Sequence, residues 1–203
     1  MVARVAEVVR DPRVLEAMRS VPRHAFVPGE VRRYAYADRA LAIGHGQTIS
    51  QPLIVGMMSE ALELGPADRV LEVGTGSGYQ AAVLALLAGS VTTVEIVPVL
   101  RERARATLAR LGADRVEVRE AGEHPGAPAR APFDAILVAA AAPAVPPALL
   151  DQLADGGRLV IPVGPRSGQE LRLLTRRGGA IGSRSLGGVR FVPLVGRDGY
   201  EGA

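Results

Sequence analysis

The sequence predicts an α/β protein with a doubly wound, mostly parallel sheet, an N-terminal helical extension and an antiparallel edge. Three observations carry this expectation. From residue 69 onward, short β-branched runs alternate with helical segments, the pattern of a parallel sheet covered on both faces. The first of these runs, Arg69–Val73, leads directly into a glycine turn, Gly74-Thr75-Gly76-Ser77-Gly78. The next run ends in an acid, Glu95, about 20 residues further on, the separation at which a strand-end carboxylate can meet a bound ribose.

Read in order, residues 1–20 are expected as a helix, Val21–Pro28 as an extended link and Val31–Asp38 as a short helix or turn. Ile43–Pro52 is polar and glycine-containing, and reads as a loop. Leu53–Glu63 has helical periodicity and stops at Gly65-Pro66. Then come the buried strand Arg69–Val73, a helix over Tyr79–Ala88 closed by Gly89, and a strand over Val91–Ile96. Pro98–Leu111 is a helix with proline in its first turn and Gly112 after its end. Val116–Arg119 and Phe133–Val138 are further strands, Pro146–Leu153 a helix and Arg158–Val163 a strand. Glu170–Arg176 and Arg190–Val195 are expected as the late, antiparallel edge strands.

At 203 residues the chain is long enough to bury one substantial core, and too short for two ordinary domains and a linker. A single domain over 1–203 is expected, with a helical and substrate-loop segment at 1–66, a core at 67–164 and edge strands at 165–203. Hydrophobic residues make up 48% of the chain but aromatics only 3%, so the core must be built from Ala, Val and Leu. Absence of cysteine excludes disulfides and thiol catalysis. The three histidines are too scattered for a helical metal motif, and no metal is expected.

All 24 basic residues are arginine and the net charge is only +3. They lie interspersed with acids, as in Arg101-Glu102-Arg103, without a basic stripe interleaved with aromatics, so nucleic acid is not an expected partner. The charged N-terminus lacks the apolar stretch of a signal peptide, and no apolar run approaches the roughly 20 residues of a membrane span. A soluble, cytoplasmic, monomeric protein without a membrane partner is the expectation.

The glycine turn narrows the ligand. A dinucleotide fingerprint reads G-x-G-x-x-G, whereas Gly74, Gly76 and Gly78 are evenly spaced and position 79 is tyrosine. The form acid-x-Gly-x-Gly-x-Gly, beginning at Glu72, resembles class I methyltransferases. That resemblance implies S-adenosylmethionine as cofactor, S-adenosylhomocysteine as product, and a loop facing the methionine part of the donor. Glu72, Gly74, Thr75, Gly76, Ser77, Gly78 and Glu95 are the candidate binding residues. For Glu72, a structural role and a place near the methionine amine both stand.

Three further stretches resemble one family. They are Val21–Pro28; the block Gly44-His45-Gly46-Gln47-Thr48-Ile49-Ser50-Gln51-Pro52; and Ala140–Pro147 together with Gly157–Gly164 and the tail Val189–Leu194. Arranged around the glycine loop, they are similar to protein-L-isoaspartate O-methyltransferases over residues 18–196. The resemblance implies methylation of the misplaced α-carboxylate of isoaspartyl residues in damaged proteins and peptides. The ester then collapses to a succinimide, which can reopen as normal aspartate. It also implies Ser50 as the catalytic residue, with Gln47, Thr48 and Ile49 shaping its loop and Arg190, Phe191 and Val192 bordering the peptide. His45 is a candidate substrate contact or a packing residue of the loop. Such a reaction needs no general base, because a carboxylate with a pKa near 4 is already ionised at neutral pH.

The resemblance is broken at the adenine end. Where the family has an aspartate contacting the adenine amine, this chain has Gly122, followed by Glu123. The family's nearby tryptophan is Ala127, and a frequent threonine is Ala139. Glu123, longer by one methylene, is the candidate replacement for the missing contact. A dedicated peptide acceptor, or a degenerate homologue that binds without turnover, are the competing readings.

Overall fold

The computed structural model describes residues 1–200. Two short strands, β1 (Leu41–Gly44) and β2 (Gln47–Ile49), pair apart from the main sheet. The strands of that seven-stranded sheet are β3 (Arg69–Val73), β4 (Ser90–Glu95), β5 (Val116–Glu120), β6 (Phe133–Val138), β7 (Leu153–Val163), β8 (Gln169–Arg177) and β9 (Ala180–Val189), in the order β5-β4-β3-β6-β7-β8-β9. Neighbours from β5 to β7 are parallel, and β8 and β9 are antiparallel. The chain winds outward from β3 to β5, then returns to place β6 on the other side of β3. That reversal opens a crevice at the carboxyl ends of β3 and β6, where doubly wound sheets bind ligands.

Period-two alternation places the core on both faces of the sheet. Val70, Ala135, Leu137 and Val160 pack into one buried cluster together with Val5, Met18, Val55 and Leu84 from the helical side. Leu71, Val73, Ile136, Val138, Leu159 and Ile161 build the opposite cluster with Leu149. The helices are α1 (Val2–Val5), α2 (Pro12–Ser20), α3 (Pro52–Ala61), α4 (Tyr79–Ala85), α5 (Pro98–Arg110) and α6 (Pro147–Asp151). No helix among the described residues is long and apolar enough to cross a membrane.

Four expectations are corrected. The helix over residues 1–20 is two helices. Pro12 holds Asp11 extended (ψ 113°), as a residue before proline must be. Asp11 then caps α2 by accepting the N–H of Arg13 at 2.8 Å, while Glu60 of α3 accepts the N–H groups of Arg10 and Asp11 at 2.5 and 2.7 Å. The extended link contains a 3-10 turn over Arg23–Phe26.

The third correction is the polar loop, which is a hairpin of β1 (Leu41–Gly44) and β2 (Gln47–Ile49). His45 and Gly46 both have positive φ, 55° and 71°, the backbone of a two-residue turn matched to strand twist. Ile43 and Ile49 anchor the hairpin in the core.

The fourth concerns the edge. Arg190–Val195 is not a strand; the edge is β9, which pairs along β8 after a turn at Gly178-Gly179. β9 is rich in glycine and serine and largely exposed, so it has no hydrophobic alternation to betray it. The segment after it crosses back over the sheet. There the N–H of Ala141 donates to the Val192 carbonyl at 2.8 Å and the N–H of Leu194 to the Ala141 carbonyl at 2.7 Å.

Candidate active site

An open cavity lies over the carboxyl ends of β3 and β4. Its floor is the predicted glycine loop: Glu72, Gly74, Thr75, Gly76 and Ser77 all line it. Gly78 lies just behind, starting α4 with φ +88°. A Cβ there would sit 3.2–3.3 Å from Leu108 and Ala104, so only glycine lets α4 begin so close to α5.

Glu95 closes the loop from the neighbouring strand. One oxygen accepts the N–H of Gly76 at 2.7 Å and the other the N–H of Val97 at 2.9 Å. A carboxylate can accept about four hydrogen bonds, so each oxygen keeps acceptor capacity toward the cavity. Glu72 is fully buried. Its Oε2 accepts the Thr93 hydroxyl at 2.5 Å, and Oε1 has no hydrogen-bond partner. Burial pushes its pKa up to about 8 against the bond from Thr93, with the nearby Glu95 charge adding to the rise.

The β1–β2 hairpin and the start of α3 form the opposite wall. Gln47, Thr48, Ile49 and Ser50 line the cavity. A second open cleft is lined by Thr48, Ser50, Gln51, Gln169, Arg190, Phe191 and Val192 among others. The two spaces share Thr48, Ser50, Ala139 and Val192. A ligand in one can therefore meet a ligand in the other beside Ser50.

Two predicted residues stand apart. His45 is exposed in the hairpin turn and lines neither space. Glu123 also lies outside the cavity. Its side chain is 77% exposed, 3.5 Å from Arg197, because the loop turns that carboxylate toward solvent and a guanidinium. Gly122 does line the cavity, and a Cβ there would meet nothing closer than a carbonyl at 3.9 Å.

Ala140, Pro193 and Leu194, from the stretches that resemble the family, also line the cavity. Several residues escaped sequence reading, among them Val55 and Gln80 in the cavity wall. Gln152, buried in the turn after α6, shapes the adenine-end loop: it accepts the N–H of Ala127 at 2.7 Å and donates to the Pro125 carbonyl at 3.0 Å. These residues carry ordinary core or helix patterns, so no local signal marked them.

Fold and site together define a class I, Rossmann-like methyltransferase. The glycine cradle, a strand-end carboxylate with spare acceptor capacity and the open space at Gly122 fit an adenosyl donor. Comparison with known proteins then narrows the class. The chain belongs to the protein-L-isoaspartate(D-aspartate) O-methyltransferase family, whose family model matches residues 2–199. It is 55% identical over 194 residues to a protein-L-isoaspartate O-methyltransferase of Methanoculleus marisnigri, covering 96% of this chain and 88% of that one. A relative of the same name from Roseiflexus sp. is 56% identical, covering 93% and 86%. Among solved structures, a protein-L-isoaspartate O-methyltransferase superposes with a TM-score of 0.87 at 26% identity, covering 98% of this chain and 67% of that chain. One from Plasmodium falciparum, in complex with S-adenosyl-L-homocysteine, gives 0.77 at 27% identity with 92% of each chain covered.

Proposed function

We propose that this protein transfers the methyl group of S-adenosylmethionine to the carboxylate of isoaspartyl residues, initiating repair of damaged proteins in the cytoplasm. The observation that carries this reading is the junction of the two spaces at Ser50. A donor held over the glycine loop and an extended peptide in the second cleft converge there.

When bound, S-adenosylmethionine supplies a methyl group on a sulfonium, and its thioether product is S-adenosylhomocysteine. Glu95 accepts hydroxyls of the donor's ribose with the capacity left beside Gly76 and Val97. Glu72 lines the cavity floor, and its Oε1 is buried without a partner. The acceptor carboxylate is ionised at neutral pH, so the site needs alignment and dryness rather than a proton acceptor. Ser50 donates its hydroxyl proton to one carboxylate oxygen as a hydrogen bond and leaves the other free to attack. Thr48, Ala139 and Val192 line the junction on both sides. Val189–Val192 lies along the cleft, where peptide backbone can pair by strand addition.

A methyl-transfer assay comparing an isoaspartyl peptide with its aspartyl twin tests the reading. Transfer is expected to the isoaspartyl peptide and not to the twin. Equal methylation would point to a dedicated aspartyl acceptor instead, and no transfer to either would mean a binding protein without turnover.

A further inference from the structure

Arg23 heads the large side chains that are fully buried, at 0% exposure. Among the described residues no carboxylate forms an ion pair with it, and Asp38 acts only as a charge at longer range. Neutral groups hold the guanidinium instead. Nε donates to the Ala35 carbonyl at 2.8 Å, and Nη2 donates to the Ser50 carbonyl at 2.6 Å. Its carbon lies 4.7 Å from the centre of the Tyr79 ring. Tyr79 is the first residue of α4, directly after the glycine loop, and lines the donor cavity.

Burying an unpaired charge is costly, and apolar side chains of similar volume often serve stability better. An apolar residue cannot supply a rigid fork whose donors point in fixed, separate directions. Here the fork spans two carbonyls from different turns while its plane packs on a third element. The chain just beyond Ser50 is fixed as well. Asp38 accepts the N–H of Leu53 at 3.0 Å and the side-chain amide of Gln51 at 2.8 Å. Residues 50–53 are thus held by two charged groups, both from the segment between α2 and β1.

We infer that Arg23 is a positioning residue for methyl transfer. It sets the Ser50 backbone, and with it the hydroxyl, at a fixed place relative to the glycine loop. The inference rests on the reading that Ser50 contacts the acceptor carboxylate. Arg23 touches neither ligand space itself.

A double-mutant cycle tests it. Arg23→Lys keeps the charge, but a point-like ammonium cannot reproduce the fork across both carbonyls. Its kcat for the isoaspartyl peptide should fall at least about tenfold, while S-adenosylhomocysteine affinity stays within about twofold. In a Ser50→Ala background the same change should cost less than about threefold, because the group it positions is gone. Equal fold-losses in both backgrounds would overturn the inference, as would a parallel loss of S-adenosylhomocysteine affinity. Should Arg23→Lys fail to fold, Asp38→Asn loosens the other side of residues 50–53, and the same cycle applies. Additive losses there overturn the inference too. Wild-type turnover in Ser50→Ala would remove the reading of Ser50 and this inference together. A slow Ser50→Ala with additive losses removes only the role of Arg23.

Discussion

The Glu95 carboxylate accepts the backbone N–H of Gly76 at 2.7 Å. One side chain therefore both shapes the glycine loop and faces the ligand the loop would hold, so β4 sets the conformation of the turn that follows β3. The carboxylate is nearly buried, at 5% exposure, and its remaining lone pairs have little but the cavity to meet.

Glu95→Ala should weaken binding of S-adenosylhomocysteine. A hydrogen bond to a charged group contributes about 1.5–3 kcal/mol, roughly ten- to hundredfold in Kd. Titration calorimetry of both proteins measures it. A loss below about threefold would mean that Glu95 serves only the Gly76 and Val97 amides.

Ser50→Ala should slow transfer to an isoaspartyl peptide with little change in donor affinity. Removing one hydrogen bond made in the transition state costs about 2–4 kcal/mol, a drop of roughly 30- to 1000-fold in kcat. Steady-state kinetics at saturating donor read it directly. Unchanged turnover in the folded variant would make Ser50 a residue of the loop alone.

At the adenine end, Gly122→Asp should tighten donor binding and Glu123→Ala should be nearly silent. Gly122 lines the cavity with open space beside it, whereas Glu123 faces Arg197 and solvent. One added charge-assisted bond of about 1.5–3 kcal/mol predicts a gain of roughly ten- to hundredfold. A large loss of donor affinity in Glu123→Ala would show that the loop rearranges to bring that carboxylate inward.

Glu72 makes stability depend on pH. Its folded pKa is raised from 4.5 to about 8, so the folded state binds this proton more tightly than the unfolded chain. The associated stability is complete below about pH 4.5 and is lost as pH rises toward about 8. Glu72→Gln stays neutral throughout and removes that slope. Melting midpoints of ligand-free protein between about pH 5 and 8 should therefore fall for wild type relative to Glu72→Gln. Parallel curves would place the ionisation elsewhere.

Periodicity and punctuation in the sequence determined the sheet from Arg69 to Val163, since each buried strand needs its own apolar run and each helix its own proline or glycine boundary. The spacing of Gly74, Gly76 and Gly78 and the acid at Glu95 fixed the donor loop, because those residues act through local backbone geometry. The Gly44–Pro52 block and Val189–Leu194 pointed to the acceptor side through resemblance. Tertiary structure alone decided the rest. That residues 41–49 fold as a hairpin depends on Ile43 and Ile49 finding the core, and β9 exists only because β8 offers it an edge. Arg23 lies in the Val21–Pro28 stretch that resembles the family, but nothing in that stretch sets it apart from the other 23 arginines. Its burial against Tyr79, and its bond to a carbonyl 27 residues away, follow from which elements pack together, and no local pattern encodes that. The placement of Glu123 has the same origin: chain position offered it to the adenine, while the packing of the loop against Gln152 and the nearness of Arg197 turned it outward.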